Sequence, residues 1–230
     1  MQPMEKHLEN TLAQVVEQAI QTGEPVGSQY LVERYKLDVS PSTIRNYFAE
    51  LENQGFIAQP HTSSGRLPTE KGYGYFVQNL MKPKSLTKRE NSELDQAAQD
   101  QDHEHKRAKS LAKAAVEICG QAVVLGIGDA DSYYTGLTQL FGQPEFKDWN
   151  RILSMSDVLD RMDSVLAKVR KTQFQQPMVM IGTECPFGPL CGSVVVSARE
   201  EYLLGILGPI RMDYAQAIAV TERIKNLLET

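Results

Sequence analysis

The chain has little of what would assign it a chemistry at once. Three cysteines occur in 230 residues, Cys119, Cys185 and Cys191. An odd, scattered set gives no disulfide framework, and the expectation is a reduced, cytoplasmic chain. Cys185 and Cys191 have no matching pair elsewhere, which argues against a zinc site. His103 and His105 sit among acidic neighbours, a setting for adventitious metal binding at most, so no metal ligands are assigned. Positive charge is not in surplus: the net charge is −5, and residues 1–90 hold ten basic and ten acidic side chains. Any nucleic-acid binding must rest on local placement of cations rather than on a bulk basic field. Long apolar runs are missing as well. Ala122–Ile127 is far short of the roughly 20 residues that a bilayer-spanning helix needs, and the first residues lack a signal-peptide core, so no membrane partner is expected. Gly126-Ile-Gly128 lacks the third glycine and following helix of a phosphate loop. No nucleophile–base pair stands out, so no catalytic residue and no cofactor are assigned, and the chain does not read as an enzyme.

What is present is an ordinary globular balance, 41% apolar and 23% charged, in a length that suits one large domain or two small ones. The stretch from Gly23 to Tyr75 organises the first half. Ser40 can cap a helix, Pro41 suits its first turn, and Gly55 suits the left-handed position just past its end. Between them Ile44, Phe48 and Leu51 recur at helical spacing and form an apolar face. Ser42, Thr43, Arg45, Asn46 and Tyr47 offer hydrogen-bonding groups on a rod about as wide as a DNA major groove. An arbitrary helix with such a face would simply be solvated; here the context favours a recognition helix. Leu8, Leu12, Val15, Val16, Ala19 and Ile20 make a helical stripe before it, ended at Gly23. A short helix capped by Ser28 and covering Gln29–Tyr35 follows, giving a helix-turn-helix unit. After Gly55, residues 56–60 read as a strand and 61–68 as a mobile polar loop. Thr69 is placed to cap a further helix. A strand and a loop tip in that position form a wing, in which His61, Thr62, Ser63, Arg66 and nearby Lys71 are the candidate DNA contacts. Arg45 and Asn46 can read guanine and adenine edges or merely hold phosphates; the sequence leaves both open.

These blocks, namely Gly23–Ser28, Ser42–Asn46, Leu51-Glu52 and above all Gln59–Thr69 with Gly72-Tyr73, resemble those of the HrcA family, the bacterial repressors of heat-shock chaperone operons.

Composition shifts at Lys82, and residues 83–107 read as a charged linker. From Ala108 a helix is expected, carrying Leu111, Ala115 and Ile118. A buried strand at 121–127 should then pair with residues 132–141. Helices are expected at 145–154 and 156–171, and three closely spaced strands at 177–182, 192–198 and 202–208 suit antiparallel pairing. Asp213 caps a closing helix, with Arg211 as its surface partner. The expected class is therefore α+β: a winged helix-turn-helix domain over 1–82, the linker 83–107, and an α+β domain over 108–230.

Tyr134–Phe141, Ile181–Glu184 and Leu207–Tyr214 are similar to further HrcA blocks, which in that family belong to a GAF-like domain. Members of the family are longer, so the resemblance implies a shortened member with a reduced GAF-like domain, lacking much of that region and of the inserted dimerisation segment. It also implies a homodimeric repressor on double-stranded DNA, at an inverted-repeat operator of the type named CIRCE, released on heat stress, with the GroEL chaperonin as a partner. Two other readings stay open. One is a winged-helix regulator controlled by a small ligand in the C-terminal domain; the other is an interaction module that has lost operator binding.

Overall fold

The computed structural model describes residues 4–62, 64–99, 104–128 and 131–230, and the chain divides after Lys82 into two compact units.

In the first unit, α1 (Lys6–Thr22), α2 (Ser28–Tyr35) and α3 (Pro41–Asn53) precede a two-stranded antiparallel ribbon of β1 (Ile57–Ala58) and β2 (Leu67–Pro68). Helix α4 (Glu70–Tyr75) then runs straight into a π turn, Phe76–Leu80. The apolar stripe of α1 forms the centre of the core: Leu8, Leu12, Val15, Val16 and Ala19 are fully buried, together with Leu31, Ile44 and Leu51. Ile20, the last residue of the expected stripe, is only half-buried. Two local expectations differ. The N-cap of α2 is Gly27, not Ser28, and no side chain caps it; Ser28 is already helical. The expected strand over 56–60 shrinks to two paired residues, Ile57 and Ala58.

The second unit is built on a five-stranded antiparallel sheet, order β4-β3-β7-β6-β5. Its strands are β3 (Ala122–Ile127), β4 (Asp131–Thr135), β5 (Met178–Ile181), β6 (Cys191–Ala198) and β7 (Tyr202–Pro209). Every residue of β3, β6 and β7 is buried, which explains their near-continuous apolar runs. Helices α6 (Glu104–Cys119) and α10 (Tyr214–Glu229) pack along β3 and β6. The opposite core collects Val124, Val195, Leu203 and Leu207 with residues from α7 (Leu137–Phe141), α8 (Trp149–Asp160) and α9 (Met162–Arg170). This is the expected α+β class, in an arrangement consistent with a GAF-like domain.

Four expectations for this half need correction. Residues 83–107 were expected as an exposed, partly helical charged linker; they do contain α5 (Lys88–Ala97) and the first turn of α6, but α5 is packed rather than free in solvent. A capping box starts α5: the Thr87 hydroxyl accepts from the Glu90 N–H, and the Glu90 carboxylate accepts from the Thr87 N–H. Leu94 is fully buried, Gln216 of α10 donates to Glu90, and Arg223 pairs with Asp95. Two apolar residues in ten, Leu94 and Ala97, are too few to show as a stripe, so tertiary contacts and the cap hold this helix. Only Thr135 and earlier residues of 132–141 pair with β3; Gly136 takes a left-handed conformation and α7 follows. The break between the next two helices falls at Arg161 rather than Met155, which is buried within α8. Asp213 does cap α10, accepting from the Gln216 N–H. Arg211, however, bonds Glu145 (Oε2 3.2 Å) and Gln143 (2.8 Å), while Asp213 pairs with Lys84 at 3.1 Å. Among the described residues no helix is long and apolar enough to cross a membrane.

The three thiols are free. Burial pushes Cys119 up to about 12 and raises Cys185 and Cys191 as well. Since the thiolate is the reactive form, a disulfide reagent at pH 8 should modify the native chain slowly. All three thiols should react at once in denaturant, and rapid native modification of Cys185 or Cys191 would contradict their burial, Cys119 being only half-buried.

Candidate nucleic-acid interface

Helix α3 is fixed at both ends by its own sequence. The Ser40 hydroxyl accepts from the Thr43 N–H at 3.1 Å, with Pro41 in the first turn. Beyond the last turn Gly55 has φ +77°, which a side chain would strain, and its N–H reaches the Glu52 carbonyl at 2.9 Å. Ile44, Phe48 and Leu51 are buried, leaving Ser42, Arg45, Asn46, Ala49 and Glu50 exposed. Of the five residues expected on the reading face, Ser42, Arg45 and Asn46 stand in solvent together. Thr43 is half-buried with its hydroxyl 3.0 Å from Ser40 Oγ. Tyr47 is half-buried, its ring centre 4.4 Å from that of His7 of α1 and tilted by 44° to it.

The ribbon is tied to α3 by Glu52, a residue with no role expected from its sequence position. Glu52 Oε1 accepts from the Gln59 N–H at 3.1 Å, and Oε2 accepts from Arg66 Nε at 3.1 Å and faces Arg66 Nη2 at 3.0 Å. Arg66, expected at the tip as a DNA contact, therefore has its guanidinium turned inward, with only 19% of the side chain accessible. Its backbone exchanges two 2.9 Å hydrogen bonds with Val26. The sole signal for Glu52 in the sequence was its place in the Leu51-Glu52 block, since its partner lies fourteen residues on. Lys71 is also engaged: Nζ donates to the Gln54 carbonyl at 2.7 Å and lies 4.4 Å from the centre of the Phe56 ring.

The described residues of the tip are joined by hydrogen bonds. The Ser64 N–H and hydroxyl both donate to the His61 carbonyl, at 2.9 and 2.7 Å. The Gln59 amide donates to the Thr62 and Ser64 carbonyls, at 3.0 and 3.1 Å. His61 and Thr62 project from this turn into solvent; Ser63 lies outside the described residues. The result is two exposed sets joined through Glu52: Ser42, Arg45 and Asn46 on a helix, and His61 and Thr62 on a hydrogen-bonded tip. Such a surface can donate to phosphates and to base edges. His103 also lies outside the described residues, and His105 is bonded to Glu201 at 2.7 Å. No group of three metal-binding side chains occurs among the described residues.

Comparison with known proteins agrees with the resemblance. A crystal structure titled only as a hypothetical protein superposes with a TM-score of 0.80, covering 99% of this chain and 98% of that one at 15% identity. At that identity the likeness is one of fold alone. A protein named heat-inducible transcription repressor HrcA from Moorella thermoacetica is 51% identical over 87 residues, 38% of this chain. Its namesakes from Thermobifida fusca and Kineococcus radiotolerans are 55% and 41% identical over 84 and 114 residues. These matches span 25%, 24% and 33% of the relatives' own lengths. The family described as "HrcA protein C terminal domain" matches residues 76–218, more than half of the chain. The chain belongs to the HrcA family.

Proposed function

We propose that this chain is a DNA-binding transcriptional repressor whose first unit is a winged helix-turn-helix, with α3 as the reading helix and the β1–β2 tip as the wing. The observation that carries this reading is the coupling of the two exposed sets through Glu52. A reading helix held in fixed register with a backbone-contacting tip is what sequence-specific docking needs. Ser42, Thr43, Arg45 and Asn46 contact the groove, while His61, Thr62 and Ser63 contact the neighbouring backbone. Arg66 and Lys71 hold the framework on which those contacts depend, and Tyr47 seats α3 on α1. Family membership supports an inverted-repeat operator of the CIRCE type bound by a homodimer, with repression released on heat stress and the GroEL chaperonin as a partner. Control by a small ligand in the second unit gains nothing from the cavity between β3, β4 and α9, which has about 30 Å3, room for a water molecule.

The test is a titration against a CIRCE-type duplex and a scrambled one at two salt concentrations. Salt-dependent preference for the inverted repeat at two protomers per duplex supports the reading. Equal, weak binding to both duplexes, unchanged by added GroEL, overturns it. Within this frame Arg45→Ala and Asn46→Ala should each cost about 1–3 kcal/mol on the operator if they read bases, with relaxed preference at one position. Equal losses on operator and scrambled DNA would instead make them phosphate contacts.

A further inference from the structure

Helix α8 of the second unit is two-sided. On its inner side Met155 is buried, with Val158 and Leu159 packed against the same core. On the opposite side, at helical spacing, stand Trp149 and Leu153, 68% and 51% exposed. Exposed Asp157 and Asp160 continue that face towards the end of the helix. Trp149 is the chain's one tryptophan, and large aromatic side chains are enriched at interfaces relative to the rest of a protein surface. The charges of the helix are ordered along its axis. At the start, Asp148 caps the helix by accepting from the Asn150 N–H at 2.8 Å, and Arg151 donates to the Glu145 carbonyl at 3.1 Å. At the end, Arg161 pairs with Asp157. Among the described residues, Lys147 at the first end and Asp160 at the last are exposed, with no charged or hydrogen-bonding partner for their side chains.

We propose that this face binds a second copy of the chain, α8 against α8, antiparallel about a two-fold axis between Leu153 and Ser154. The order of the charges selects both the occupant and its direction. In antiparallel pairing Lys147 of each copy comes level with Asp160 of the other, so the helix complements itself. Parallel pairing would set lysine beside lysine and aspartate beside aspartate, which is repulsive. The axis brings the two Leu153 side chains together, with a Trp149 ring flanking them on each side. Two apolar side chains per copy cover less than the roughly 1,200 Å2 that lasting interfaces bury, so association in free solution is weak. Two protomers on one inverted repeat stand at about millimolar effective concentration, and there a weak contact is enough to couple them. The inference rests on the proposed function for that last step alone: it gives the homodimer a surface, and the contact itself needs no DNA.

The experiment follows Trp149 emission of the full chain, without DNA, from about 1 µM to about 1 mM, beside sedimentation equilibrium. Emission should move to shorter wavelength as the mass rises towards two chains, because the ring leaves water. Leu153→Asp, at an exposed position, should weaken association at least about ten-fold, since two carboxylates would meet at the axis. Lys147→Asp and Asp160→Lys should each weaken it by about two- to five-fold, the scale of exposed charge pairs. The double variant, with the two charges exchanged, should recover the original affinity. A chain that stays monomeric throughout would overturn the proposal, as would dimerisation with unchanged emission. So would an emission shift that appears only when another protein such as GroEL is added, or a double variant that associates no more tightly than the single ones. Because no DNA is present, such a failure leaves the operator titration standing, whereas self-association without operator preference would count against the repressor reading alone.

Discussion

Gly72→Ala should destabilise the first unit by about 3 kcal/mol, the upper range for overpacking a closed site. A β-carbon at residue 72 would lie 2.0 Å from the Phe56 carbonyl oxygen and 3.1 Å from its carbon. The obstacle is backbone, so no rotamer change relieves it. The same oxygen already accepts from the Thr69 N–H at 3.0 Å and is 3.2 Å from the Thr69 hydroxyl. Moving α4 outward to make room would break the cap that starts it. It would also separate the Phe56 and Tyr75 rings, which meet edge-on at 5.2 Å. Gly74 lies two residues along the same helix, with nothing within 4 Å of its β-position. There alanine should instead stabilise by about 0.5–1 kcal/mol, because glycine loses more backbone freedom in a helix. Urea titration of the full chain, read amide by amide, separates the two units. Similar effects from the two substitutions would mean that the approach of α4 to Phe56 is not rigid.

Phe187→Ala should cost the second unit about 3–5 kcal/mol, the usual penalty for emptying a buried aromatic site. Phe187 is in the loop between β5 and β6, yet it is fully buried among Val124, Leu140, Val195 and Leu203. The loop cannot easily collapse into the space. Cys185 donates from its N–H to the Gly182 carbonyl, Gly188 to Cys185 and Cys191 to Gly188, each within 3.1 Å, which folds the segment into successive tight turns. Gly205 on β7 leaves room for the neighbouring Val124, whose Cγ2 would lie 2.8 Å from a β-carbon there. Phe187→Leu, which keeps most of the volume, should cost under about 2 kcal/mol. Equal losses for alanine and leucine would show that ring shape rather than filled volume matters at this site.

Legibility in the sequence followed the range of the interactions. Helix α3 was readable in full because its cap, its first-turn proline, its apolar spacing and its terminal glycine are all local. Strands β6 and β7 were readable because full burial on both faces writes a continuous apolar run, and the edge strand β5 because its four residues are all apolar. Helix α5 was not, since its support is a capping box and contacts to Gln216 and Arg223, well over a hundred residues away. Helical spacing separated the polar side of α3 from its apolar face, but not Ser42, Arg45 and Asn46 from Thr43 and Tyr47, which contacts to Ser40 and His7 draw partly inward. The inward turn of Arg66 was not legible, because nothing in a loop sequence states that a carboxylate fourteen residues earlier will claim the guanidinium. Arg211 misled for the same reason: Asp213 was near in the chain, and Glu145 was nearer in space.

The sheet of the second unit also sets an order of events in time. Strands β3, β6 and β7 are buried along their whole length, whereas β4 and β5 form its edges and carry the exposed Tyr134 and Met178. Local openings therefore begin at the edges, and the amides of β6 and β7 exchange with solvent only when the whole unit unfolds. Their exchange rates in deuterated water give the stability of this half directly, so heat could be seen to loosen the edges of the sheet well before it melts the centre.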